Sequence, residues 1–229
     1  MVLSVIVPAY NEEKLLPLFL KEVVSYLNKS CPDYELIVVE NGSQDRTFEI
    51  AQDFSKKNKK IKVHHLSQPS YGGALIEGLR VARGNYLVIF NVDFWDKRFI
   101  DLFKVDLLGY DVVNGSKNLP GSHDKRPFSR RLVTKGFNLL LKIFLGFSGT
   151  DTHGIKALRR SSVSSVFKKC KTKTGIFDSE LIIRAQRQGL KILELPVEVV
   201  EKRQARFGFK RVLKTPEDII KLYLALRVT

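Results

Sequence analysis

Three polar stretches each follow an apolar run. Pro8-Ala9-Tyr10 comes after Leu3 to Val7, Glu40-Asn41 after Leu36 to Val39, and Asn91-Val92-Asp93 after Leu87 to Phe90. Carboxylates and amides at such points can accept hydrogen bonds from the hydroxyl and N–H groups of a ligand. A second chemistry is electrostatic. Residues 114–177 hold 14 basic residues against Asp124 and Asp151, a net +12, whereas 1–113 carry 14 basic and 15 acidic residues and 178–229 carry 11 and 7. Most of the formal charge of +15 therefore lies in one segment. A field of that sign attracts phosphate, in a nucleotide, a nucleic acid or an anionic lipid surface. Nucleic acid is set aside, because the segment has neither an RNA-binding aromatic signature nor a helix-turn-helix pattern. Cys31 and Cys170 fit neither a disulfide framework nor a metal-site spacing, and His123 and His153 lack partners at metal or triad spacing.

The elements that must position these stretches follow from periodicity. Leu3 to Val7 reads as a strand ended by Pro8, with Asn11 capping a helix whose first turn carries Glu12 and Glu13. Leu15, Leu16, Phe19, Leu20, Val23, Val24 and Leu27 follow helical spacing. Strands are predicted over 34–39, 61–66 and 86–90, and helices over 47–54 and 75–82, with Asn41-Gly42-Ser43 as a turn. The run 86–90 is the most apolar and is placed at the centre of the sheet. Strand–helix alternation argues an α/β fold with a mostly parallel sheet covered on both faces, in which ligands bind outside the carboxyl ends of the strands. The second half is less regular: a strand at 111–115, loop chemistry at 117–131, a long apolar helix from Arg131 to Phe147, a helix from Phe177 to Gly189, a strand from Lys191 to Val200, and a helix starting at Thr215-Pro216. No linker divides the chain, so 1–229 is read as one domain, with a nucleotide-sugar half (1–113) and an acceptor half (114–229) once the resemblance below is taken into account. The stretch 136–147 is too short to span a bilayer and is interrupted by Lys142. No signal peptide is read at the start, and a reduced, cytoplasmic setting is expected.

The strand ends resemble those of the family 2 glycosyltransferases, and within them the dolichol-phosphate mannose synthase-like, polyprenyl-phosphate branch. Val5 to Glu12 is similar to the N-terminal nucleotide loop, and Ile37-Val38-Val39-Glu40-Asn41-Gly42-Ser43-Gln44-Asp45-Arg46-Thr47 to the second motif. Gly72-Gly73-Ala74 with Gly78 and Ala82-Arg83-Gly84 is similar to the third, and Asn91-Val92-Asp93 lies where a metal-binding Asp-x-Asp belongs. Arg130 to Asn138, Asp151 to Ala157 and Phe177-Asp178-Ser179-Glu180-Leu181 continue the likeness over nearly the whole chain.

The resemblance implies a GT-A fold and transfer of a hexose, with inversion, from a nucleotide-sugar of the GDP-mannose or UDP-glucose type. Pro8, Tyr10, Glu12, Val39 and Glu40 would meet base and ribose; Glu40 stands where Asp is usual. Asp93, with Asn91 in place of the first acid and Val92 between them, would hold Mg²⁺ or Mn²⁺ against the diphosphate, one formal charge short of the usual pair. Trp95 is either a pocket wall or core. Arg130, Arg131, Arg203 and Lys210 fall where the branch places cations toward phosphate, although Phe209 departs from the usual Ser. A sugar hydroxyl acceptor needs a general base, for which Asp178 and Glu180 are the candidates beside Asp93 as the catalytic acid at the donor; a polyprenyl phosphate is already ionised and needs none. Either acid could equally be a helix-start residue. The apolar helix, flanked by Arg130, Arg131, Lys135 and Lys156, suits a lipid phosphate on an anionic membrane surface, and equally a buried core or dimer helix. A peripheral place on the cytoplasmic face, with a possible membrane-protein partner, is the expected setting. Two other readings stay open: the same fold acting on a saccharide or other hydroxyl, and a non-catalytic nucleotide-sugar-binding module, for which Asn91 is the best support.

Overall fold

Leu3–Ala9 (β1), Tyr34–Asn41 (β2), Ile61–Leu66 (β3) and Tyr86–Ile89 (β4) lie side by side and parallel in a computed structural model that describes residues 2–200 and 215–227. Leu16–Ser30 (α1), Thr47–Lys57 (α2) and Tyr71–Val81 (α3) make the crossovers. The second half adds Lys97–Asp101 (α4), Val112–Ser116 (β5), His123–Asp124 (β6), Phe128–Leu145 (α5), Lys156–Arg159 (β7), Arg160–Lys169 (α6), Phe177–Arg187 (α7), Ile192–Pro196 (β8), Glu198–Val199 (β9) and Thr215–Arg227 (α8). The main sheet has the order β3-β2-β1-β4-β7-β5-β8, with β6 and β9 forming a separate parallel pair. β4 is the middle strand of seven, as its apolarity requires. One strand breaks the parallel rule: β7 runs antiparallel to both β4 and β5 and joins the two halves into one sheet.

Alternating strand residues feed two buried layers. Val5, Val7, Leu36 and Val38 pack under α1 and α2, while Ile6, Ile37 and Val39 pack under α3, α6 and α7. α1 buries Leu16, Phe19, Leu20, Val23 and Leu27, an i, i+3, i+4, i+7, i+11 stripe, each side chain contributing about 1.5–3 kcal/mol of transfer free energy.

Several element starts differ from the sequence reading. α1 begins at Leu16, not at Asn11: Asn11 adopts φ 54° and Glu12 O takes the N–H groups of Leu15 and Leu16 in a preceding turn, so Glu12 and Glu13 stand outside the helix. α3 starts four residues earlier than its apolar run, because Ser70 Oγ caps it by accepting from Gly73 N. α5 starts at Phe128 and stops where Gly146 takes a left-handed φ of 69°. Asp178 lies inside the first turn of α7 rather than capping it, the cap position being Ile176. The strand expected over 191–200 is split at Val197 into β8 and β9.

Candidate active site

The first two strand ends are knitted together by their own side chains. Asn11 N donates to Ser43 Oγ (3.0 Å), and Gln44 N donates back to Asn11 Oδ1 (2.8 Å). Glu12 is buried, its N–H on Thr47 Oγ1 at 2.7 Å, and Glu13 N reaches Asp45 Oδ2 at 3.1 Å. Glu40 is fully buried; one oxygen accepts from Ser43 N at 2.6 Å and the other pairs with Nδ1 of His65, its partner across the β2–β3 register. Burial works to raise the pKa of this carboxyl, but the Ser43 and His65 bonds outweigh it and hold it below the usual range. Pro8 lies buried within β1 opposite Val39 of β2, whose side chain is in the layer under α3, whereas Tyr10 is exposed.

Beyond β4 the chain makes a tight reversal in which Asn91 and Phe94 exchange main-chain bonds, N to O, at 3.2 and 3.0 Å. Asn91 and Asp93 remain partly accessible on it; Val92 is turned into the core. Trp95 is drawn to α1, with its ring 6.1 Å from Tyr26 and 6.3 Å from Phe90 and its Nε1 on Glu22 at 3.1 Å. Asp96 caps α4 by accepting from Arg98 N.

The second half of the chain meets this end through β7. Lys156, counted among the cations beside the apolar helix in the sequence reading, is instead fully buried, opposite Ile89 of β4 and so beside the strand end that leads to Asn91. Its ammonium donates to Asp178 Oδ1 (2.6 Å) and Gly154 O (2.7 Å), while Tyr71 Oη donates to Asp178 Oδ2 (2.9 Å). Glu180, also fully buried, accepts from Lys171 N, from Thr172 N and Oγ1, and from Arg184 Nε at 2.9 Å. Asp151 is held by Lys117 Nζ at 2.6 Å; burial works to raise its pKa, but the lysine beside it carries it down to about 2. His153 Nε2 faces Gly175 O at 2.9 Å and Nδ1 faces Thr152 Oγ1 at 3.0 Å. Since a carbonyl only accepts, Nε2 carries the proton, which agrees with burial pushing the imidazole pKa down against the pull of Asp178 and Asp151.

Residues 171–175 (Lys-Thr-Lys-Thr-Gly) clasp the two halves. Glu180 holds the start, His153 the end, and Lys173 O takes Gly72 N (3.0 Å) and Ser70 Oγ (2.8 Å) in the middle. A Cβ on Gly72 would lie 2.7 Å from both Lys173 C and Thr172 O, which is why the third motif needs glycine there. Arg130 and Arg131 occupy the first turn of α5, Arg130 partly buried and Arg131 exposed over the Phe128 ring. Arg203 and Lys210 fall outside the described residues.

The sequence matches Glycosyl transferase family 2 over residues 4–167. This chain belongs to that family. As a family 2 glycosyl transferase it is 31% identical to dolichyl-phosphate beta-glucosyltransferase ALG5A of Trichomonas vaginalis, over 99% of this chain and 74% of the relative. It is 32% identical to the dolichyl-phosphate beta-glucosyltransferase of Drosophila melanogaster over 87% of this chain and 67% of the relative. Glycosyltransferase AglD of Haloferax volcanii is 30% identical over 98% of this chain, which spans 37% of that protein's length. Among solved structures, glucosyl-3-phosphoglycerate synthase from Mycobacterium tuberculosis in complex with Mn²⁺, UDP and glucosyl-3-phosphoglycerate superposes with a TM-score of 0.67 at 21% identity, over 98% of this chain and 79% of that one. The GT-A arrangement inferred from the strand ends is therefore the fold of this family 2 glycosyl transferase.

The donor set suits a hard cation in part. Asp93 and Asn91 offer two oxygen side chains on one rigid reversal, and no cluster of three His, Cys, Asp or Glu capable of holding a metal occurs among the described residues. Two protein oxygens fit a divalent ion that takes its remaining ligands from diphosphate and water. Sequence reasoning placed Lys156 beside the apolar helix, set His153 aside, and missed Tyr71. Lys156 and His153 lie in the quoted stretch Asp151 to Ala157, but nothing in residue type alone distinguishes a buried lysine from a surface one.

Proposed function

We propose that this chain transfers a hexose, with inversion, from a nucleoside diphosphate sugar to a polyprenyl phosphate, and that UDP-glucose is the donor to test first. The observation that carries the choice of acceptor is the state of the two acids on α7. Asp178 is neutralised by Lys156 and Glu180 by Arg184, and the remaining oxygens accept from Tyr71 or from the 171–172 main chain. Neither acid stands free to take a proton. A hydroxyl acceptor would need that proton removed; a phosphate oxygen would not. In the step itself an oxygen of the lipid phosphate forms a bond to the anomeric carbon as the bond from that carbon to the diphosphate oxygen breaks, and the nucleoside diphosphate leaves with the electron pair. A Mg²⁺ or Mn²⁺ ion shared by Asp93, Asn91 and the diphosphate would supply charge neutralisation of the leaving group. The knitted loops at 8–13 and 40–47 hold the nucleoside. Arg130 and Arg131, with Arg203 and Lys210, draw phosphate.

The support for a membrane-bound acceptor is the apolar exposure of two neighbouring helices. Leu139, Ile143 and Phe144 of α5 are 56–64% exposed, α8 packs beside α5, and Ile220 and Leu224 of α8 are 59% and 56% exposed. Lys135 and Lys142 are exposed on α5, while Lys221 on α8 is paired with Glu217 at 2.5 Å. Exposed apolar side chains with lysines on the same helix suit shallow insertion into an anionic leaflet. No helix among the described residues is long and apolar enough to cross a membrane.

Incubation with UDP-glucose or GDP-mannose, a divalent cation and either a prenyl phosphate or the matching prenyl alcohol tests the reading. A glycosylated lipid phosphate with release of nucleoside diphosphate, and no product from the alcohol, is expected. Transfer to saccharides but not to the lipid phosphate would refute it.

A further inference from the structure

Lys156 is a lysine with no solvent exposure, on the strand that joins the two halves. Burying an ion pair is a poor way to stabilise a core: desolvation of both charges offsets most of their attraction, and apolar side chains of similar volume do as well or better. The pair sits beside the end of the central strand of the sheet. Lys156 lies opposite Ile89, two residues before Asn91, and Asp178 joins it from the first turn of α7 while Tyr71 reaches the same carboxylate from the first turn of α3. The groups facing Asp178 are thus the Lys156 ammonium from β7, the Tyr71 hydroxyl from α3 and, at longer range, His153. Only one of them cancels its charge, since burial keeps His153 neutral.

We infer that Lys156 is a positioning residue that cancels the charge of Asp178, so that an anionic acceptor can approach the start of α7 beside the end of β4. The inference rests on the phosphate-acceptor reading above. An unpaired carboxylate on that wall repels a phosphate, whereas the neutral pair leaves the +12 segment to attract it. Loss of the two partners then has opposite effects on phosphate binding. Removing the lysine exposes the acid and weakens phosphate binding. Removing the acid's charge frees the ammonium and strengthens it. A purely structural pair would weaken binding whichever partner is lost.

The test is calorimetric titration of farnesyl phosphate, with farnesol as the uncharged control, into the wild-type chain, Lys156→Met, Asp178→Asn and the double variant, each first checked for an intact melting transition. Lys156→Met is expected to weaken farnesyl phosphate binding roughly tenfold, Asp178→Asn to tighten it by a similar factor, and the double variant to return within about threefold of wild type, the order expected of one unit charge at a partly screened site. Farnesol binding moves in none of them. If Lys156→Met does not fold, Asp178→Asn decides alone: tighter binding upholds the inference and weaker binding overturns it. Weaker phosphate binding in both single variants, or none changed, overturns the role given to Lys156 while leaving the acceptor reading intact. Wild-type protein that binds farnesol as well as farnesyl phosphate overturns the acceptor reading itself, and this inference with it.

Discussion

Gly72→Ala sets two effects against each other. Alanine in place of glycine in a helix is worth about 1 kcal/mol of added stability by propensity alone. Against that stands the clasp. The new Cβ would lie 2.7 Å from Lys173 C, 2.7 Å from Thr172 O and 2.9 Å from Lys173 Cα, all main-chain atoms, so a side-chain rotation cannot relieve it. Either the overlap remains, at about 1–3 kcal/mol, or residues 172–173 retreat and give up the bonds from Gly72 N and Ser70 Oγ to Lys173 O, at about 1 kcal/mol each. These penalties are alternatives, since retreat relieves the overlap. The chain takes the cheaper of the two, so about 1–2 kcal/mol lost against about 1 gained leaves a net loss of up to roughly 1 kcal/mol. A chain of this size loses about 2–4 °C of Tm per kcal/mol, so the midpoint should fall by up to about 4 °C instead of rising. Differential scanning calorimetry reads this directly, with Gly136→Ala on α5 as the control: nothing lies within 4 Å of the Cβ it would gain, and it should raise Tm. Transfer should fall in Gly72→Ala beyond what the stability loss explains, because the clasp carries Lys171 and Lys173 between the two halves. A Gly72→Ala protein as stable as Gly136→Ala would refute the clasp as an energetic contact.

Further outcomes follow from the same geometry. Asp93→Ala should leave the circular dichroism spectrum unchanged and lower turnover by about a hundredfold or more, since in the proposed transfer Asp93 is the charged oxygen at the donor diphosphate; activity within about threefold of wild type ends that assignment. Asn91→Asp should tighten Mn²⁺ binding in the presence of UDP by restoring a carboxylate, and an unchanged affinity would mean that position 91 does not face the ion. Arg130→Ala with Arg131→Ala should depress transfer more than binding to anionic liposomes, because two charges are a small part of the general field whereas forked phosphate contacts are specific; equal loss of both favours a plain membrane patch. Asp151 has a folded pKa of about 2, below its unfolded value, so its pairing with Lys117 contributes fully above about pH 4 and is lost as pH falls through 2. That is worth about 2 kcal/mol, and urea melts of Asp151→Asn between pH 5 and 2 should show a shallower acid loss than wild type.

The donor half was legible because its signals are local. An apolar run of four or five residues followed by Pro, Glu-Asn-Gly or Asn-Val-Asp marks a buried strand and its exit, and β1, β2 and β4 appear where those runs stand, while β3 shows as the alternation Ile61, Val63. The acceptor half resists the same reading. β7 is four residues long and opens on a lysine, so Lys156–Arg159 shows neither the length nor the alternation of a strand. α6 carries four serines among ten residues, which hides its buried Val163, Val166 and Phe167. The acids of α7 were visible as candidates, and Arg184 stands at i+4 from Glu180, but the partners of Asp178 were not visible: Lys156 is 22 positions away, and Tyr71 is 107. Charge at a distance cannot be paired by spacing. The same limit placed Glu12 in a helix it precedes, since the left-handed turn at Asn11 depends on Ser43 and Gln44 across the loop.

The antiparallel strand has a consequence for how the molecule is made. On a growing chain β1 to β4 emerge first and can pair at once, in the order β3-β2-β1-β4, but the free edge of β4 has no partner until residues 156–159 follow. Until then the most apolar strand presents an open ladder of main-chain groups, and the layer under α3 lacks α6 and α7 to cover it. A fragment ending near residue 113 is therefore an aggregation hazard rather than a portable nucleotide-binding unit. The short strand that covers the β4 edge also delivers Lys156 to Asp178, so the closing of that edge and the pairing of that acid come with the same four residues.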